Sequence, residues 1–517
     1  MTRGRLAAVA GIAASAVFLR FWRLGWALDE SLFFPDEMIW FVRVSQFVPL
    51  SWSSFDLDFT HTYPTLYGYF AGLATAAAYH LGLLRPAPDS MFDALYVCRV
   101  VAVVAGLINV GLVGLLGWRC FSPPVGLAAA ALYAILPLEA AQVHYASVDS
   151  LTVTWITLAL LASHALALRG SVGRALVAGL VVGLAFATKY TGLGALGGLV
   201  VPVLVRAESG KRWAAGLALG IAVLVGLGAG ITIGCPPCVL RPSALLTQLV
   251  DLQRLTATGD FTNARLVPSL GWVGTPYVYQ LVVCFPYVLG WPLWLLSLWG
   301  IVVAIRRRSL ADWVLLAALA TYFAAIGASH LVFPRYLMPL EPALVVLAAR
   351  AGVELADRSP VRWAGLAALW LYTFAIATSH VAGATLAQQR EVAAWIAARP
   401  QALRVATPEH GAEYFFLTPF LSRAGLTPVI VRAGQWLSAP ADVFVMPELL
   451  AIGAGRDHPD GLEARDVARL EAGEGGFREA ARWPMEYLHR GLYSWLDPGL
   501  SPVLGAFGFR VYVRERR

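Results

Sequence analysis

Phe33-Phe34-Pro35-Asp36-Glu37 follows a first apolar segment, about residues 5–25, that begins almost at the initiator Met. Carboxylates beside a bilayer are costly, because taking an ion out of water costs several kcal/mol or more unless it is paired or hydrated. A chain that keeps two of them side by side at a membrane rim uses them. Composition places the pair in a membrane protein: 58% of the 517 residues are hydrophobic, 14% are charged and 18 are Trp, with a mean hydropathy of +0.65. These values exclude an ordinary soluble protein and point to a polytopic α-helical one. The net charge of +7 is no nucleic-acid signal, since the Arg residues lie mostly between apolar runs and in the C-terminal part. The first segment reaches about Trp22 without a small-residue cleavage site, so it reads as a retained helix rather than a signal peptide.

Working outward, apolar runs bounded by charge or by Pro and Gly fall at about 5–25, 64–84, 96–117, 122–140, 149–168, 174–190, 193–206, 213–233, 280–304, 311–328, 335–350 and 362–380. A span needs roughly 20 apolar residues. Basic loops at 169–174, 206–212, 306–308 and 350–362 alternate consistently and fit the cytoplasmic side. Asp149, Lys189, the loop 234–279 and 330–335 then face outward, as does everything after about 381. Three apolar runs separate the basic N-terminus from Arg119, an odd number for two cytoplasmic points. The run 64–84, rich in Ala, Tyr and Gly, is therefore expected to lie along or dip into the outer leaflet. That leaves about eleven crossings, a cytoplasmic N-terminus and an extracytoplasmic C-terminus, in a multi-pass protein of the cell membrane.

The pattern changes near Thr385. Gln388 to Arg399 reads as an amphipathic helix. Leu403 to Thr407, Thr427 to Val431 and Val443 to Met446 read as strands, with a helical stretch near Ala412 to Ala424 and a last strand at Arg510 to Val513. The expected organisation is a membrane domain over 1–380 and a small extracytoplasmic α/β domain over 381–517, with polar loops at 451–480. Of five cysteines, Cys235 and Cys238 flank Pro-Pro with redox-motif spacing. No βαβ pattern surrounds them, so a local disulfide or plain loop cysteines fit better than a redox centre.

With this topology several polar residues share the outward face: Asp36, Glu37, His61, Tyr63, Arg99, His144, Asp149, Lys189, Tyr190, Arg335 and Tyr336. Acids and bases gathered there can activate a nucleophile and hold an anion. Each also has a plainer role. Asp36 or Glu37 can cap the helix Glu37 to Phe47, although capping does not need both. His61 can be an interfacial histidine, Asp149 an N-cap, and Lys189 a snorkelling helix end. Lys189, Arg99 and Arg335 nevertheless run against the usual charge bias by facing outward.

Pro35-Asp36-Glu37, His61-Thr-Tyr-Pro64, Leu136-Pro137 and His144-Tyr-Ala-Ser-Val-Asp149 occur in that order. Gly183-Leu-Ala-Phe-Ala-Thr-Lys189-Tyr-Thr-Gly192 and Pro334-Arg-Tyr-Leu-Met-Pro339 follow them. On these motifs the chain resembles, over roughly residues 5–380, the GT-C membrane glycosyltransferases of the protein O-mannosyltransferase and aminoarabinose-transferase superfamily. The resemblance implies a sugar taken from a polyprenyl-phosphate donor and transferred with inversion, on the extracytoplasmic side, to a lipid, glycan or protein acceptor. It makes Asp36 the general base, with Glu37 assisting it, orienting it or holding a basic partner. His61, Arg99, Lys189 and Arg335 become candidates for the lipid phosphate, and Asp149 the second-loop acid. Two departures leave sugar and acceptor open: His61 and Thr62 stand where aminoarabinose-branch relatives tend to carry Lys, and no MIR repeats follow. Asp36, Glu37 and Asp149 could also supply oxygens to Mg²⁺ or Mn²⁺, though no motif demands a metal. The alternative is a transporter or flippase for a lipid-linked glycan, which should show repeated halves with interrupted helices at mid-depth.

Overall fold

A computed structural model describes residues 3–26, 28, 35–59, 63–85, 90–207, 213–258, 275–330, 332–356, 360–385, 388–399, 403–409, 417–447, 462–483 and 508–515. The apolar runs become helices: α1 (Arg3–Phe21), α2 (Pro35–Ser45), α3 (Leu66–His80), α4 (Ser90–Cys120), α5 (Pro123–Ala134), α6 (Pro137–Gln142), α7 (Asp149–Leu168), α8 (Val172–Thr188), α9 (Leu196–Ala207) and α10 (Trp213–Gly234). Helices Leu310–Ile326, Glu341–Ala356 and Pro360–Ala384 follow. Among the described residues, five helices are long and apolar enough to cross a membrane: Phe92–Cys120, Asp149–Leu168, Trp213–Gly234, Pro334–Ala356 and Val361–Ala384.

Two expected spans are broken. The run 280–304 divides into Pro276–Leu289 and Trp291–Arg307, bent by 116°. The break is at Gly290, whose φ of 79° favours glycine, and Pro292 restarts the helix. The run 122–140 likewise stops at Ala134 and restarts at Pro137 as the short helix α6. That break carries polar side chains into the bundle.

Small residues let helix axes approach. A Cβ at Gly179 or Gly183 would collide with the carbonyls of Val223 or Leu227 on α10, and one at Gly226 or Gly230 with those of Leu176 or Leu180 on α8. The main apolar core runs through α5, α7 and α8 and into Leu310–Ile326 and Glu341–Ala356.

The C-terminal part holds β1 (Val405–Pro408), β2 (Pro428–Val431), β3 (Val443–Pro447), β4 (Phe477–Trp483) and β5 (Phe509–Arg514) in the order β2-β1-β3-β5-β4. Strands β1–β3 are parallel, while β5 runs antiparallel to β3 and β4. The expected strands are present, and of the expected helix at 412–424 the described part is Leu417–Arg423. The region 451–480, expected as loops, instead contains helix Leu462–Glu471 and the start of β4. Charged residues fill the solvent side of both and hide a thin apolar face formed by Val467, Leu470 and Phe477. This sheet packs on the helical bundle: Val405, Val443 and Phe509 share one core with Trp26, Ala141 and Tyr145, and the Tyr145 hydroxyl donates to Ala384 O at 2.9 Å.

Gly183→Leu should force α8 from α10 and lower stability by about 1–3 kcal/mol or more, whereas Gly220, with open space around it, should accept Leu. Thermal unfolding of the two purified variants checks this.

Candidate active site

Pro35 starts α2, so Asp36 and Glu37 fall in its first turn, where carboxylates suit the helix dipole. Their side chains then diverge. Glu37 is wholly buried and forms a two-pronged pair with Arg99 of α4: Nε donates to Oε1 at 2.8 Å and Nη2 to Oε2 at 3.0 Å. Arg99 Nη1 also donates to the carbonyls of Leu24 and Trp26 at 3.1 and 2.8 Å, and Ala146 N donates to Glu37 Oε1 at 2.8 Å. The pair thus ties together α2, α4, the segment after α1 and the α6–α7 loop.

Asp36 points to a more open space, 18% exposed, where Arg335 Nη2 lies 3.2 Å from its Oδ2. The Tyr63 hydroxyl donates to the same Oδ2 at 3.2 Å. Burial first, and the Asp36 charge second, push the Tyr63 phenol well above its ordinary range, so it stays a donor. No hydrogen bond from a described residue reaches Asp36 Oδ1. Arg43 secures Tyr63 from behind, donating to its carbonyl at 3.0 Å.

A second pair stands beside the first. Asp149, at the start of α7, receives Lys189 Nζ at 2.6 Å on Oδ1 and Gln142 Nε2 at 3.2 Å on Oδ2. Lys189 lies 4.8 Å from the Tyr336 ring centre and 5.9 Å from that of Tyr63. Arg335 lies 5.9 Å from the Tyr336 ring and 4.6 Å from that of Phe333. Two cations therefore converge on one tyrosine, each matched by one acid. Tyr322 holds that segment by donating to Tyr336 O at 3.1 Å.

Asp36, Tyr63, Asp149, Lys189, Arg335 and Tyr336 come together. Glu37 and Arg99 do not join them, because each occupies the other in the interior. His144 is also elsewhere: it is fully buried, with ring nitrogens 2.8 Å from Ala140 O and 2.9 Å from Trp22 O. There it bolts α6 to the end of α1. Tyr190 turns its hydroxyl to Phe59 O at 3.4 Å. His61 lies outside the described residues. Gln142 and Tyr322 escaped notice because one sits in a short helix and the other in an unbroken apolar run. Asp36, Glu37 and Asp149 each face a different cation, Arg335, Arg99 and Lys189, and no group of three or more His, Cys, Asp or Glu that could hold a metal ion occurs among the described residues.

The sequence profile of the dolichyl-phosphate-mannose-protein mannosyltransferase family matches residues 92–232. No curated protein matches the sequence. Among solved structures, the chain is similar to the archaeal oligosaccharyltransferase AglB from Archaeoglobus fulgidus in complex with an inhibitory peptide and a dolichol-phosphate. Identity is 13% over 89% of this chain and 71% of that one, with a TM-score of 0.55. It is also similar to ArnT from Cupriavidus metallidurans bound to undecaprenyl phosphate, at 16% identity over 87% and 94% of the two chains and a TM-score of 0.51. The fold is GT-C. The profile match spans the GT-C helices that carry Arg99, Asp149 and Lys189, while Asp36, Tyr63 and Arg335 lie on either side of it.

Glu37→Gln should leave Arg99 charged and unmatched in the interior and lower stability by about 3–5 kcal/mol. The paired change Glu37→Leu with Arg99→Met should lose less than Glu37→Leu alone. A thermal-unfolding cycle over these variants decides it.

Proposed function

We propose that this protein transfers a sugar from a polyprenyl-phosphate donor to an acceptor hydroxyl, with inversion, on the extracytoplasmic side of the membrane. The observation that carries this reading is the pairing geometry: Asp36 has one oxygen held by Arg335 and Tyr63 and the other without a hydrogen bond from a described residue. Two cations stand beside it against Tyr336. Asp36 Oδ1 takes the proton of the acceptor hydroxyl as that oxygen bonds to the anomeric carbon. The bond from that carbon to the phosphate oxygen breaks, and its electron pair leaves with the lipid phosphate. Arg335 and Lys189 face the charge that develops there. A phosphate is already a good leaving group, so no strong acid is needed. Tyr63 orients the base, and Asp149 with Gln142 orients Lys189.

Sidedness draws support from two features. The basic loops at 169–174 and 306–308 lie at the helix ends away from Lys189. Cys235 and Cys238 form a disulfide at the same end of the bundle as Lys189, for Gly234 packs on Ala187. A disulfide suits an oxidising, extracytoplasmic compartment. In this reading the N-terminus is cytoplasmic and the C-terminal sheet lies outside. Counting the bent pair once and including the five shorter apolar helices agrees with about eleven crossings, α3 lying at the outer leaflet.

A transporter reading would call for matching interrupted helices in two repeated halves. One bent pair is present among the described residues, and Asp36, Asp149, Lys189 and Arg335 stand at helix ends.

Asp36→Asn should cut transfer by roughly 10²–10⁴-fold while undecaprenyl phosphate still binds. Arg335→Gln should weaken that binding tenfold or more, about 1.4 kcal/mol. Mass spectrometry of copurified lipid would supply the donor for the assay. Full transfer by Asp36→Asn would remove Asp36 from the role of base.

A further inference from the structure

Behind the candidate active site lies a second charged cluster that the mechanism does not use. Glu139 stands in the first turn of α6, Glu341 opens helix Glu341–Ala356, and Arg20 comes from the last turn of α1. All three are completely buried. Arg20 does not bond either carboxylate. Its Nη1 donates to Ala134 O at 2.9 Å and its Nη2 to Tyr133 O at 3.5 Å, so it caps the carbonyls at the end of α5.

All four carboxylate oxygens of Glu139 and Glu341 are without a hydrogen-bond partner among the described residues, as are Arg20 Nε, Tyr133 OH and Ser150 Oγ. The side chains of Ser150 and Asn109 face Glu139, Asn109 also faces Tyr133, and Tyr133 faces both acids. A Cβ on Gly106 of α4 would press on Arg20 Nε and Glu139 Oε1, each 3.1 Å away, so these atoms converge where α4 leaves room. Buried polar groups left unbonded cost roughly 1–3 kcal/mol apiece, and this nest would be untenable if dry and empty.

The charges do not balance. Two carboxylates face one guanidinium. Asp149 of α7 also faces both acids, but Lys189 already matches it at 2.6 Å. One unit of positive charge is missing, and two like charges side by side in the interior do not both stay ionised without it.

We propose that Glu139 and Glu341 form a buried site for one exchangeable alkali cation. Carboxylate and hydroxyl oxygens are the hard ligands such an ion takes, whereas a divalent ion beside Arg20 would overshoot neutrality. The site is a positioning device. Glu139 shares α6 with Gln142, which holds Asp149, and Glu341 directly follows the segment carrying Arg335 and Tyr336.

The test uses the full chain in detergent. Thermal unfolding is followed in sodium chloride and in N-methylglucamine chloride at equal ionic strength. If an alkali ion fills the site, sodium raises the melting temperature by several degrees, and Glu341→Gln and Glu139→Gln abolish the difference. Equilibrium dialysis with radioactive sodium then finds one ion per wild-type chain, whether or not either variant folds.

A melting temperature that is the same in both salts overturns the proposal, as does a sodium effect that both variants retain.

Discussion

The ion pair of Glu37 with Arg99 is the contact on which the arrangement depends. Both side chains are wholly buried, where an uncompensated charge is far more costly than in water. Each must therefore find the other before α2 can settle against α4. Successive residues on an α-helix point about 100° apart. With Glu37 fixed inward, Asp36 turns aside toward Arg335 and Tyr63. Helix geometry thus sends the two acids of the doublet apart, Glu37 into the interior and Asp36 toward the proposed site. A buried pair of this kind is a device for specifying position rather than a large net source of stability.

The same logic recurs at the site itself, in softer form. Asp36 with Arg335 and Asp149 with Lys189 are two matched pairs beside Tyr336, so their charges balance. In the proposed reaction an arriving phosphate adds negative charge, which both cations are placed to meet. Preorganised charge of this sort is the largest lever a protein holds over a reaction that expels an anion. The aromatic faces keep the cations aligned and limit their contact with water.

Much of this was legible in the residues, for definite reasons. Asp36, Asp149, Lys189 and Arg335 stand at the ends of apolar runs, where any charge is conspicuous. Charge alternation in the loops then put them on one face. What distinguishes Glu37 from Asp36 is the direction of a side chain, and adjacent letters do not encode it. His144 and Arg99 are conspicuous for the same reason as the site residues, yet they serve packing, because a buried polar group must be satisfied wherever it lies. Arg20, Glu139 and Glu341 sit inside apolar runs and were absorbed by them. The Gly290 break was missed because one glycine seldom ends a long apolar segment. Strand β4 was missed because its exposed face is charged.

A cryo-electron microscopy structure of the full chain with undecaprenyl phosphate tests the central claim most directly. The account predicts the phosphate between Arg335 and Lys189 against Tyr336, with Asp36 Oδ1 facing it across an open gap. A phosphate bound away from both cations, with the Asp36–Arg335 and Asp149–Lys189 pairs undisturbed, would contradict it.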